Sequence, residues 1–195
     1  MITTEELQEV ATKLAVELAM IQAVTKIEAR HSGFKNGLPV ILFERHIFYR
    51  QLKKRGFDVN RLSQTYPQLV NLTAGGYLGG NEENNRLASA KRIDRQAAIE
   101  SASWGLFQIM GFHWAMLGYQ SADEFEQLMS QNEQQQLDAF YRFISHPSNN
   151  QLLQVMKNKD FTRFARLYNG IAYQKNHYDV KLKEAYEAYA KPNSK

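Results

Sequence analysis

Residues 7–30 read LQEVATKLAVELAMIQAVTKIEAR, and the apolar positions Leu7, Val10, Leu14, Leu18, Ile21, Val24 and Ile27 recur at steps of three and four. That spacing predicts one amphipathic helix beginning near Thr3 or Thr4. Glu28 follows Val24 by one helical repeat and Ile21 by two, so a carboxylate falls on the buried stripe where an apolar side chain belongs. Desolvation and the helix C-terminus both disfavour its charged form. A raised pKa is therefore expected, and with it an acid able to donate a proton near neutral pH. The alternative pairs Glu28 with Arg30 or Arg45, which would lower the pKa instead.

Just beyond this helix, Ser32-Gly33 and Asn36-Gly37 are turn signals around Phe34, and the run Leu38 to Phe43, with Pro39 near its start, predicts a short strand or small hairpin. Alternation puts Val40, Leu42 and Glu44 on one face. Two carboxylates, one at a helix end and one past a hairpin, are what glycoside hydrolysis requires: an acid for the leaving oxygen and a base or nucleophile opposite. A salt bridge to Arg45 or Arg50 is the competing role for Glu44, and Asp94 and Glu100 are weaker alternatives as the second catalytic group.

The remaining pattern is mostly helical. Arg45 to Lys54 reads as a helix, Leu62 to Leu72 as a short one broken near Pro67, and Gly75 to Asn85 as the most flexible stretch. Arg86 to Ala102 is helical, while Leu106 to Met110 is either a buried helical turn or a strand. Ser121 with Glu124 forms a capping-box signature, and Leu137, Phe140 and Ile144 mark a helix that stops before Pro147. Phe161, Phe164, Ala165 and Tyr168 mark another, capped by Asn169-Gly170, and Tyr178, Leu182, Ala185 and Tyr189 the last. The expected fold class is mainly α, or α+β with one small β-hairpin, as a single domain over 1–195.

The chain has 195 residues, 44% of them hydrophobic, and no cysteine, which excludes disulfide scaffolds and Cys-ligated zinc. The five histidines show no i, i+4 pair, so no metal or other cofactor is expected. The stretch Val10 to Ile27 is interrupted by Lys13, Glu17 and Lys26, so it fails both as a membrane span and as a signal-peptide core. Net charge is +4, yet it is unevenly spread. Residues 29–61 carry eight basic side chains (Arg30, Lys35, Arg45, Arg50, Lys53, Lys54, Arg55 and Arg61) against Glu44 and Asp58, leaving 16 basic and 18 acidic residues elsewhere. This +6 segment is either a solvated helix face or a patch that attracts an anionic polymer.

Four ordered stretches carry a resemblance: AVTKIEARHSGF at 23–34, LFERHIFY at 42–49, SASWGLFQIMG at 101–111 and FARLYNGIAYQKNHYDVKL at 164–182. Together they resemble the N-acetylmuramidase domain of phage endolysins, a lysozyme-like family similar to goose-type lysozymes and lytic transglycosylases. The resemblance implies an endolysin that hydrolyses the β-1,4 bond between N-acetylmuramic acid and N-acetylglucosamine in peptidoglycan, with Glu28 as general acid and Glu44 as the second catalytic group. It also implies substrate binding by Gln108 and the Ser101 and Ser103 hydroxyls, with Trp104 as a stacking face or a core residue. Tyr168, Asn169 and Gly170 match a sugar-groove stretch of the same relatives, and also suit a helix C-cap with Tyr168 in the core. Many endolysins of this family carry a further wall-binding domain; none is expected within these residues, and the Arg30 to Arg61 segment would take over part of its task at an anionic envelope.

The partners expected are peptidoglycan glycan strands and no nucleic acid, for a monomer that accumulates in the host cytoplasm and acts in the periplasm after holin-type release. The nearest rival is a lytic transglycosylase, which leaves 1,6-anhydromuramic ends. A nucleic-acid-binding helical protein would explain the basic segment but not Glu28 or the Ser-Trp-Gly-Leu-Phe-Gln run.

Overall fold

The computed structural model describes residues 1–28, 32–170, 174 and 176–191, so Arg30 lies outside the described residues. In chain order its α-helices are α1 (Thr4–Leu14), α2 (Leu18–Glu28), α3 (Arg45–Lys54), α4 (Val59–Thr65), α5 (Glu82–Lys91), α6 (Arg95–Glu100), α7 (Ala122–Met129), α8 (Glu133–Ser145), α9 (Asn150–Lys157), α10 (Phe161–Asn169) and α11 (Tyr178–Ala190). The strands are β1 (Phe34–Lys35), β2 (Leu38–Pro39), β3 (Ile41–Phe43), β4 (Ala102–Trp104) and β5 (Ile109–Met110). The fold is mainly α, as the periodicity predicts. The chain divides into two compact units, residues 1–31 with 137–195 and residues 32–136, and the division falls within α8.

In the first unit, Thr3 caps α1 through a reciprocal box: the Glu6 N–H donates to its hydroxyl at 3.2 Å, and the Glu6 carboxylate accepts the Thr3 N–H at 2.7 Å. The single helix expected from Thr3 to Ile27 is in fact two. Ala15 adopts a left-handed conformation (φ 52°, ψ 48°) and its N–H closes α1 on the Ala11 and Thr12 carbonyls. Each helix keeps its own share of the stripe, with Leu7, Val10 and Leu14 buried on α1 and Ile21 and Val24 on α2. Helix α2 packs on α1 and most extensively on α11, while α10 packs on α9 and α11. Each fully buried Ile or Val contributes about 1.5–3 kcal/mol, so the end of α2 is held by its neighbours and not by helix propensity alone.

In the second unit, β1 and β2 pair as the expected hairpin, but the sheet content exceeds it. A separate three-stranded sheet runs in the order β3-β4-β5, with Ile41 opposite Trp104, Leu42 opposite Ser103 and Phe43 opposite Ala102. Ile41 and Phe43 point into the core, while Val40, Leu42 and Glu44 occupy the other, partly exposed face. The helix expected from Arg86 to Ala102 is split by Asp94, whose carboxylate accepts the Ala97 N–H at 2.7 Å and caps α6; Ala102 already belongs to β4. Helix α4 ends before Pro67, so the helix expected up to Leu72 stops at Thr65. Met110 pairs with Ser103 in the sheet, which settles residues 109–110 as strand.

Candidate active site

Glu28 is the last residue of α2 and is half-buried. Its Oε1 accepts a hydrogen bond from the Tyr178 phenol at 2.6 Å, across 150 residues of sequence. Tyr178 opens α11 and is 8% exposed. Burial first, then the charge of Glu28 and the nearby Tyr168, push its phenol well above the ordinary tyrosine range, while a hydrogen bond from the Asn169 side chain pulls the other way. Tyr178 therefore keeps its proton and acts as a donor to the carboxylate. Tyr168 packs in an aromatic cluster: its ring stacks on Phe164 at 5.4 Å and meets Phe140 and Phe143 edge-on. Burial and the Glu28 charge raise its phenol as well.

The first unit thus gathers Glu28, Tyr168, Asn169 and Tyr178 around one carboxyl group. Asn169 is exposed at the end of α10, and Gly170 caps that helix at φ 66°, with nothing among the described residues within 4 Å of where a Cβ would stand. The sequence marked Tyr168, Asn169 and Gly170. It missed Tyr178, which reads as one more apolar position of an amphipathic helix.

In the second unit, Glu44 is the N-cap of α3, yet its carboxylate makes no cap hydrogen bond. Instead Oε2 accepts from the Tyr77 phenol at 2.8 Å and lies 3.2 Å from His46 Nδ1, which is out of line for a hydrogen bond. Its backbone N–H is anchored on the Ser101 carbonyl at 2.8 Å. The salt bridge to Arg45 is replaced by a different arrangement, because Arg45 donates to the Thr73 and Ala74 carbonyls and Gly76 leaves room for its guanidinium. Burial first, then the hydrogen bond to Glu44, push the Tyr77 phenol up to about 12.

The loop that carries Tyr77 is held from beneath by Glu83, a residue the sequence pattern did not single out. Glu83 is fully buried and accepts the N–H groups of Leu78 (2.6 Å), Gly79 (3.1 Å) and Phe43 (3.0 Å). Arg86 pairs with it at 2.7 Å and also donates to the Phe43 and Gln68 carbonyls. Burial drives the Glu83 carboxyl up, but the three backbone donors and Arg86 outweigh it and hold the group below the usual carboxylate range.

Most of the segment Ser101 to Gly111 is buried, and it carries strands β4 and β5. Ser101 is fully buried and its hydroxyl donates to the Ala97 carbonyl at 2.7 Å. Trp104 is 1% exposed, with its indole N–H on the Ile99 carbonyl and its ring edge-on to Phe125, so it is a core residue and offers no stacking face. Ser103 donates to Gln108 Oε1 at 2.7 Å, and Gln108 Nε2 donates to the Gly105 carbonyl at 2.8 Å. Gln108 holds φ at 50°, so this hydrogen-bonded side chain shapes the β4–β5 turn. Gln136 plugs the same turn, donating to Met129 and accepting from the Leu106 N–H, where a Cβ on Gly105 would collide with it.

Asp94 is engaged at both oxygens, by the Ala97 N–H and by Arg55 at 3.0 Å, which makes it a cap and an ion-pair partner. Among the described residues no cluster of three His, Asp or Glu side chains is arranged to hold a metal ion. No helix among them is long and apolar enough to cross a membrane.

Residues 17–190 match the family model described as N-acetylmuramidase. The crystal structure of Burkholderia AP3 phage endolysin is similar to this chain over 97% of its length and 71% of that chain, at 46% identity and a TM-score of 0.91. Comparison with curated proteins gives no match.

Proposed function

Because the chain belongs to the N-acetylmuramidase family, we propose that Glu28 is its general acid and Glu44 the second catalytic group. The protein is a lysozyme-type glycoside hydrolase, a peptidoglycan-degrading endolysin that cuts the β-1,4 bond between N-acetylmuramic acid and N-acetylglucosamine. In the first step Glu28 protonates the glycosidic oxygen as an oxocarbenium-like transition state forms at the muramic acid. Glu44 then activates water or stabilises the cation, with Tyr77 holding one of its oxygens.

The observation that carries the assignment of Glu28 is the 2.6 Å hydrogen bond from Tyr178, a buried phenol that stays protonated and fixes the plane of the carboxyl group. A carboxyl placed at a helix end, half-buried and oriented by a neutral donor, suits a group that must release one proton in one direction. Asn169 and Gly170, exposed at the end of α10, are the proposed sugar-facing residues, with Tyr168 backing them from its aromatic cluster. Ser103 and Gln108 serve by shaping the β4–β5 turn, and Ser101 and Trp104 by supporting it from the core.

Digestion of purified peptidoglycan by wild type and Glu28→Gln, with the released ends identified by mass spectrometry, tests the assignment. Reducing N-acetylmuramic acid ends from wild type and none from the variant are expected. Activity of the variant near wild type would sink Glu28, and 1,6-anhydro ends would make the protein a transglycosylase. Glu44→Gln is a separate test, because unchanged turnover would leave Glu44 without a catalytic role.

The working cycle completes the proposal. The protein, a monomer, accumulates in the host cytoplasm, reaches the periplasm after holin-type release, and is drawn to an anionic envelope by the Arg30 to Arg61 segment.

A further inference from the structure

Along α3, the helix that Glu44 caps, a cavity of about 420 Å³ is lined by Ile47, Arg50, Gln51 and Lys54 together with Glu100 and Phe112. The four helical residues follow the i, i+3, i+4, i+7 pattern, so they form one stripe that runs from the catalytic end of α3 toward its C-terminus. Opposite them, Glu100 is fixed by two donors, Gln96 at 2.9 Å and the Trp114 indole at 2.9 Å, both on its Oε1. Among the described residues, the Arg50 and Lys54 side chains make no hydrogen bond or ion pair, although a carboxylate lines the same cavity. Phe112 adds an exposed aromatic edge.

We infer that this cavity is a binding site for the peptide stem of peptidoglycan, with Arg50 and Lys54 taking stem carboxylates and Glu100 taking the free amine of the stem's diamino acid. The inference rests on the muramidase function proposed above and adds to it a subsite for the part of the substrate that is not sugar. Two cations and one oriented carboxylate lining one cavity suit a zwitterionic ligand, which sets Arg50 and Lys54 apart from the rest of the Arg30 to Arg61 segment and its proposed attraction to an anionic envelope. Length agrees as well. From Glu44 to Lys54 the helix rises about 15 Å at 1.5 Å per residue. A stem of four residues, extended, spans about 14 Å. A muramic acid held at Glu44 would therefore lay its stem along this stripe of α3.

The test uses the soluble tetrapeptide stem, freed from purified peptidoglycan by an amidase, as a calorimetric ligand for the whole protein. Wild type binds it, and the double substitution Arg50→Ala/Lys54→Ala weakens binding by about tenfold or more, as loss of two charge-assisted contacts requires. On intact peptidoglycan the same variant raises KM by about tenfold while kcat stays within about twofold, because the lost contacts bind ground state and transition state alike. Both positions are exposed, and circular dichroism checks that the variant is folded. A charge-matched pair on other helices, Lys157→Ala/Arg163→Ala, leaves peptide binding unchanged.

The inference is overturned if wild type ignores the tetrapeptide, if the Arg50/Lys54 variant binds it as well as wild type does, or if the charge-matched pair weakens binding equally. The function reading fails separately. Peptide binding without release of muropeptides would remove the muramidase activity and keep the site, whereas wall cleavage by a protein blind to the peptide would do the reverse.

Discussion

Each compact unit presents a carboxylate to a tyrosine, and the two pairs differ in what holds the tyrosine. Tyr178 begins α11, is 8% exposed, and reaches Glu28 from one of two helices packed along each other. Tyr77 is 45% exposed on a loop where Gly75, Gly76, Gly79 and Gly80 all have positive φ, and Arg45 and Glu83 bond that loop on either side of it. Apolar packing therefore sets the first pair and buried electrostatics the second. The placement of Tyr77 against Glu44 should thus depend on the charge state of Glu83, whereas no buried ion pair of that kind supports Tyr178 among the described residues.

The largest effect expected falls on the first pair. Glu28→Gln keeps the side-chain shape and removes the transferable proton, so turnover should fall by about 10³-fold, within the range general acids contribute. Thermal melting should stay near wild type, because the amide still accepts from Tyr178. A steady-state assay of muropeptide release reads the first quantity and calorimetry the second.

Next comes the support of the second pair. Glu83→Ala leaves the Arg86 guanidinium buried without its carboxylate and strips three N–H groups of their acceptor, for an expected loss of about 3–5 kcal/mol in urea unfolding. The sign with pH follows from the lowered carboxyl. Its stabilisation is fully present above the ordinary carboxylate range and is lost as pH falls through the lower folded value. Wild type should thus lose stability steeply in acid, while Glu83→Gln should show a shallower acid limb; equal slopes would mean that Glu83 does not govern the loop.

A smaller change separates geometry from protonation at Glu28. Tyr178→Phe preserves packing and deletes one donor to the carboxylate, so kcat should fall by about tenfold, part of the value of a hydrogen bond to a charged group. Because that donor favours the ionised form, its loss should move the limb of the pH–rate profile that reports the acid to higher pH. An unmoved profile would reduce Tyr178 to a packing residue.

These pairs were unequally visible in the sequence, for physical reasons. Glu28 stood out because one residue violated a stripe of seven apolar positions, and the helix end needed no tertiary information. The break at Ala15 did not show, since a left-handed alanine continues the hydropathy pattern while ending the hydrogen-bond ladder. Glu83 and Arg86, three apart on α5, look like a solvated charge pair; their burial is imposed by β3 and the glycine loop. Trp104 and Ser101 lie in a run whose two-residue and three-residue strands are too short to show alternation, so core and sugar-facing roles looked alike. Tyr178 was legible as a helix position, but a phenol that bonds 150 residues back leaves no local trace.

The smallest effect belongs to Tyr77. Tyr77→Phe removes one donor to Glu44 yet leaves the backbone bonds of Leu78 and Gly79 to Glu83 in place, so the loop should stay ordered and turnover should fall by less than about threefold. The informative readout is alkaline stability. The Tyr77 phenol is pushed up to about 12 by burial and by its bond to Glu44, so its protonated form is favoured in the folded protein. Its contribution is present below the ordinary tyrosine value near 10 and is lost as pH rises from there through about 12. Wild type should therefore lose stability over that interval more steeply than Tyr77→Phe. Tyr178 is buried deeper and also titrates high, so both proteins keep the alkaline limb due to it, and only the difference between them reports Tyr77. If the two curves coincide, the phenol makes no bond to Glu44 in solution, and the second pair dissolves into a carboxylate beside a mobile loop.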